Sequence, residues 1–362
     1  METIIRNNCI KTNRQPLAES TIKNYITCLN TISKAIYEPL ETQNDICNHY
    51  DQIIQYLMVL KTTSRKTKLA ALAVALKGSP NLEVIGKFNT QRIKDSNEIK
   101  EREKKQIQPK SVIKNFIPWE RIMQRYEELR KITKPLWALE QINRSQFFQL
   151  QDFVILSCYV LIEPRRAEDF CQFKIRNFNV NTDNYLIYNK RFANSWLVFN
   201  KYKMSYKFGQ KRIELPPNLK KILIDWCKKN PYDYLFVNTK YRQCAGSRIY
   251  YFLDAIFDIA KDADKDQHIG PNVLRHAWAT HLYQDINGEQ LQNSAANMGS
   301  GEISRVLAYV VKDEQLNPPV IYESDMDDSV PESEGDTVTV ISEADEEDSE
   351  IEIEFTPDDL QS

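Results

Sequence analysis

Apolar positions along the chain recur at three and four residue intervals in some stretches and alternate in others, which divides it into segments. Leu17, Ile22, Tyr25, Ile26, Leu29, Ile32 and Ile36 form one apolar helical face. Ser20 and Thr21 stand where an N-cap would begin that helix. Ile53, Ile54, Tyr56, Leu57 and Leu60 form a second face, followed by KTTSRKTK at 61–68 and LAALAVAL at 69–76. Residues 89–112 are polar and highly charged with no apolar stripe, which predicts an interdomain linker, either extended or helical in part. Periodicity returns at Ile117, Trp119, Ile122 and Tyr126, and the run FVILSCYVLIEP at 153–164 predicts a buried helix. Residues 185–216 alternate instead. Val198, Tyr202 and Met204 on one register, Gly209 in the turn, and Ile213 and Leu215 returning predict an antiparallel hairpin. Helical spacing resumes over 217–311. From 319 onward there is no basic residue and only short apolar islands, which predicts disorder. The pattern is that of a mainly α protein with a small antiparallel β-sheet.

Charge changes this picture. The 362 residues carry 48 Lys+Arg and 50 Asp+Glu, a formal charge of -2. The last basic residue is Lys312, and 17 of the acids lie in 319–362, so residues 1–318 carry a net charge of +15. A basic body of this kind is the footprint of a protein that neutralises phosphates, with double-stranded DNA as the expected partner. Lys61, Arg65, Lys66 and Lys68, with Thr62, Thr63 and Ser64, offer charge, hydroxyls and free backbone N–H groups at a helix start. The alternative is a helical bundle with a basic, solvated turn.

Composition excludes other chemistries. Nine glycines leave no P-loop and no dinucleotide fingerprint. The seven cysteines are widely spaced, with no C-x-x-C pair, which suits a reduced intracellular protein and gives no zinc framework. Neither a metal nor a cofactor is expected. No run of 18 apolar residues occurs, and the N-terminus has no signal-peptide core, so no membrane association is expected.

Four local motifs follow one another over residues 162–311. IEPRRAEDF follows the buried helix and places Arg165 three residues ahead of Glu168. FNKYKMSYKFGQKRIELP at 199–216 sets Lys203, flanked by Lys201 and Lys207, ahead of a closing strand and a proline. PNVLRHAWATHL at 271–282 carries Arg275 and His276 and is the most specific of the four. AANMGSGEISRVLAYVV at 295–311 places Tyr309 nine residues beyond Ser300. In this order the motifs resemble the boxes of the tyrosine recombinase, or phage integrase, family, and most closely those of recombinases from eukaryotic mobile elements and large DNA viruses.

The resemblance implies an N-terminal SAM-like helical DNA-binding domain at 1–100, a linker at 101–111, a catalytic domain at 112–318 and an acidic tail at 319–362. It implies site-specific cleavage and rejoining of DNA through a 3′-phosphotyrosine intermediate. Arg165 and Arg275 would clamp the scissile phosphate with paired donors, Glu168 would accompany Arg165, Tyr309 would attack, and Lys203 would protonate the leaving 5′ oxygen. Two positions depart from the family: Asn272 and Ser300 stand where histidines are usual. Both donate hydrogen bonds, but neither shuttles a proton near neutral pH. His276 and His268 are the remaining sources of an imidazole there, while His281 reads as helix packing.

Strand exchange implies two or four copies on paired sites. Rival readings are a catalytically inactive, recombinase-derived DNA-binding protein and a type IB topoisomerase. The location implied is intracellular, and nuclear for a eukaryotic or viral source. In the tail, DTVTVISEADEEDSEIEIEF resembles a SUMO-interacting motif, with Val338, Val340 and Ile341 adding as a strand to a partner's sheet edge. Ser342 and Ser349, set among acids, would add charge if phosphorylated. The tail reads equally as a solubilising segment or as a DNA mimic over the basic surface.

Overall fold

The computed structural model describes residues 2–8, 19–105, 107–188, 195–258, 267–285, 297–298 and 307–316. The whole acidic tail, Ser300 and the SUMO-like run lie outside the described residues. The chain divides into two compact units between Glu103 and Lys104.

The first unit contains α1 (Glu2–Asn8), α2 (Glu19–Ile36), α3 (Gln43–Asn48), α4 (Tyr50–Met58), α5 (Thr62–Ala75) and α6 (Leu82–Lys104). The face predicted on α2 is the one that packs: Ile22, Tyr25, Leu29 and Ile32 are buried against Leu69 and Leu72 of α5 and Ile53 and Leu57 of α4. Thr42 and Asp45 cap α3 reciprocally: Thr42 Oγ1 accepts from the Asp45 N–H at 3.2 Å, and Asp45 Oδ2 from the Thr42 N–H at 2.8 Å.

The linker expected over 89–112 is mostly helix, because α6 runs without a break to Lys104. Its buried face continues past Phe88 as Asp95, which has no exposed surface. Asp95 takes a forked pair of hydrogen bonds from Arg65 Nε and Nη2, both at 2.9 Å. An ion pair replaces the apolar stripe, so hydrophobic periodicity misses the helix.

The second unit contains α7 (Lys110–Asn115), α8 (Trp119–Thr133), α9 (Arg144–Val160), α10 (Ala167–Cys171), α11 (Ser205–Phe208), α12 (Pro217–Lys229), α13 (Gly246–Asp258), α14 (Pro271–Asp285) and α15 (Asp313–Leu316). Helix α9 is the predicted buried helix. Every residue from Phe153 to Val160 is buried, and the helix packs against α8, α12 and α13. Asn143 and Gln146 cap it reciprocally.

Strands β1 (Tyr185–Ile187), β2 (Trp196–Phe199) and β3 (Lys211–Glu214) form an antiparallel sheet in the order β1-β2-β3. The hairpin is shorter than expected. Tyr202 and Met204 lie in a connection that includes the single-turn α11, and only Gly209, at φ +65°, occupies its predicted turn. Phe199 pairs with Lys211 and Leu197 with Ile213, so these four side chains share one face of the sheet. No described helix is long and apolar enough to cross a membrane.

Candidate active site

Arg165 stands between the end of α9 and the start of α10 and has no exposed surface. Burying a guanidinium is tolerated only where its charge and donors are met. Nε donates to Asp169 Oδ2 at 2.8 Å, and Nη1 donates to the Asn297 carbonyl at 2.5 Å. The guanidinium carbon lies 4.1 Å from the Phe199 ring centroid and 5.2 Å from that of Tyr202. Nη2 is buried and has no hydrogen-bond partner among the described residues.

The carboxylate that holds Arg165 is thus Asp169, not Glu168. Asp169 is 1% exposed, whereas Glu168 is exposed and directed at the start of α13, where a Cβ on Gly246 would lie 2.6 Å from its Oε1. The turn from Arg165 into α10 brings Asp169 back to the guanidinium, while Glu168 lies beside Gly246.

Helix α14 positions the second group. Arg275 and His276 are 1% and 4% exposed. The Arg275 guanidinium carbon lies 4.3 Å from the Tyr309 ring centroid. His276 Nδ1 is 2.7 Å from the Tyr309 carbonyl, and the two rings meet edge to face at 4.9 Å. A carbonyl only accepts, so Nδ1 carries the proton and donates it, leaving the Nε2 lone pair free of hydrogen. Burial first, and then Arg275, lower the His276 pKa to about 4, so its ring is neutral at neutral pH. It cannot serve as an imidazolium there.

Asn297 and Met298 join the two groups. Asn297 presents its carbonyl to Arg165 and donates its side-chain N–H to Glu163 at 3.0 Å. Met298, fully buried, packs in one apolar cluster with Ala279, Tyr309 and Val310. Residues from the first, third and fourth motifs therefore meet in one place. Ser300 lies outside the described residues, and Asn272 is half-buried in the first turn of α14.

The lysines sort differently from the sequence expectation. Lys203 is exposed in the turn before α11, immediately after Tyr202. Lys201 reaches toward Asp183 at 3.9 Å, and Lys207 lies over the Phe208 ring. Lys211 is half-buried on the sheet face of Phe199, the ring under Arg165. Burial, then the charge of Arg165, holds its ammonium below the usual lysine range. Alternation from Ile213 marks Lys211 as inward-facing.

Of the other expected residues, His268 is exposed beside Asp254 at 3.3 Å. His281 stacks on Trp119 with ring centroids 6.1 Å apart, as helix packing predicts. In the first unit Lys61 is exposed and Lys66 and Lys68 are half-exposed. Arg65 differs from its expected surface position: it is buried on Asp95 and donates a third bond to the Leu60 carbonyl at 3.1 Å.

No protein-family model and no curated protein matches the chain. Among solved structures, a lambda integrase dimer bound to a COC′ core site is 13% identical, covering 85% of this chain and 76% of that one, with a TM-score of 0.49. XerH site-specific recombinase bound to its difH substrate before cleavage is 14% identical, covering 87% and 91%, with a TM-score of 0.43. XerA recombinase is 15% identical, covering 83% and 90%, with a TM-score of 0.39. These solved structures, to which this chain is similar over most of its length, are recombinases and an integrase.

Proposed function

We propose that this chain is a site-specific DNA recombinase that breaks and rejoins strands through a covalent bond between Tyr309 and a 3′ phosphate. The observation that carries the reading is the placement of the Tyr309 ring under the Arg275 guanidinium, with Arg165 tied to the same cluster through Asn297 and Met298. It sets one fixed cation on the ring of a buried phenol and a second, Arg165, on the segment that packs with that ring, and attack on a phosphodiester requires such cations because its own charge repels nucleophiles.

In this reading a non-bridging oxygen of the phosphate meets Nη2 of Arg165, which makes no hydrogen bond to a described residue, and Arg275 meets the other. The Tyr309 oxygen gives its proton to water and bonds to phosphorus as the bond to the 5′ oxygen breaks. That oxygen takes a proton from a lysine of the β2–β3 segment. Lys203 is the assignment by motif. Lys211, on the face of Arg165 and with a lowered pKa, is the better acid near neutral pH. Attack by another strand's 5′ hydroxyl reverses the steps and regenerates Tyr309. His276 holds the Tyr309 main chain and does not replace the absent histidines as a proton donor. The partner is double-stranded DNA, held on both units, and exchange takes place between copies of the chain on paired sites.

One observation favours a second reading, a DNA-binding descendant that no longer cleaves. Asn272 cannot shuttle a proton, and the nearest imidazole is held neutral. A nicked suicide substrate separates the two. A covalent adduct with wild type that disappears in Tyr309→Phe supports the recombinase; DNA binding with no adduct supports the descendant. An adduct that survives Tyr309→Phe removes the assignment of the nucleophile. Relaxation of plasmid lacking any specific site would move the reading to a topoisomerase.

A further inference from the structure

The Tyr309 segment is held by its main chain, and one of the holders lies 200 residues upstream. Gln108 is 8% exposed. Its Nε2 donates to the Ala308 carbonyl and to the Val310 carbonyl, both at 2.8 Å. A carboxamide nitrogen carries two hydrogens, and here each meets a carbonyl flanking Tyr309. The Gln108 backbone N–H donates to Gln315 Oε1 at 3.0 Å, and Lys312 Nζ donates to the Lys105 carbonyl at 3.2 Å. The intervening carbonyl, that of Tyr309, accepts from His276 Nδ1–H, and the Val311 N–H donates to Thr280 Oγ1 at 2.9 Å. Three successive carbonyls thus each have a side-chain donor: two from Gln108 and one from α14.

We infer that Gln108 is a positioning residue for Tyr309. It fixes the peptide planes on either side of the residue and so keeps the ring under Arg275. No local sequence signal marks it, because a single polar residue before a short helix reads as linker. Removing it leaves two carbonyls without this donor in a turn otherwise closed by the Val310 N–H to the Leu307 carbonyl at 3.1 Å. The peptide planes then turn to find other donors, and the ring moves with them. The effect on rate rests on the proposed role of Tyr309; the effect on ring position rests on the hydrogen bonds alone.

The test uses the full chain with 3-fluorotyrosine incorporated at position 309, comparing wild type with Gln108→Met, which keeps length and removes both donors. The expected fluorine resonance moves from its wild-type position toward that of Arg275→Met, in which the ring is without its cation. Single-turnover adduct formation on the suicide substrate is expected to fall by about tenfold to hundredfold, with the DNA dissociation constant unchanged. A resonance and a rate both equal to wild type overturn the inference. If wild type forms no adduct, the recombinase reading fails, and the fluorine spectrum alone decides for or against Gln108. Should Gln108→Met not fold, Gln108→Asn keeps the amide one methylene short, and its spectrum is read in the same way.

Discussion

The Arg275 guanidinium carbon lies 4.3 Å from the centroid of the Tyr309 ring. Stacking of this kind requires a planar cation, and lysine, a point charge on a flexible stem, does not reproduce it. Arg275→Lys keeps the charge and gives up the geometry. Its single-turnover cleavage rate is expected to fall by about 100-fold to 1000-fold, with DNA affinity nearly retained. Equal rates in the two proteins would separate Arg275 from the chemistry.

His276 gives a pH dependence whose sign is fixed. Its native pKa, about 4, lies below the ordinary value of 6.5. The unfolded chain therefore takes up a proton that the native state refuses as pH falls from about 6.5 to about 4, and stability falls through that window. The contribution is fully present above it and amounts to about 3 kcal/mol. Urea titrations at several pH values are expected to show the stability difference between wild type and His276→Asn shrinking by that amount on acidification. Parallel curves would show that His276 does not titrate between the two states.

Arg65 and Asp95 form a pair whose side chains are 10% and 1% exposed. Removing one partner strands the other without its countercharge, so Asp95→Ala is expected to destabilise the first unit by about 3–5 kcal/mol. Replacing both with apolar residues, Arg65→Met with Asp95→Leu, recovers most of that stability. Lys61→Gln, Lys66→Gln and Lys68→Gln leave stability unchanged and flatten the salt dependence of DNA binding by about 0.9 for each phosphate no longer neutralised. Denaturant midpoints and salt-dependent binding isotherms distinguish the two behaviours.

Lys211→Gln is expected to slow cleavage more than Lys203→Gln, because Lys211 shares the sheet face of Phe199 and Arg165. Single-turnover rates measured across pH would show which lysine contributes the acidic limb. A larger decrease in Lys203→Gln would return the assignment to the motif.

What the sequence reveals depends on whether an interaction is local. The buried α9 was legible because a helix enclosed on every side must be apolar throughout, and Phe153 to Val160 is nearly so. The register that places Tyr309 nine residues beyond Ser300 singled out the ring that stacks on Arg275. Long-range polar pairs were not legible. Asp95 reads as a charged surface residue until Arg65, thirty positions earlier, is seen to neutralise it. Asp169 and Glu168 are adjacent acids of similar strength, and only the turn of α10 decides which one returns to Arg165. The extension of the hairpin through Tyr202 and Met204 failed because apolar residues in a tight connection can alternate without forming a strand.

Arg165 has no exposed surface, and its Nη2 makes no hydrogen bond to another described residue. A donor in that state costs about 1–3 kcal/mol for as long as it stays unmet. A ligand that met that donor in the native state alone would raise the melting temperature of the second unit, since binding only the native state stabilises it. Folding of this unit and capture of such a ligand would be two halves of one linked equilibrium.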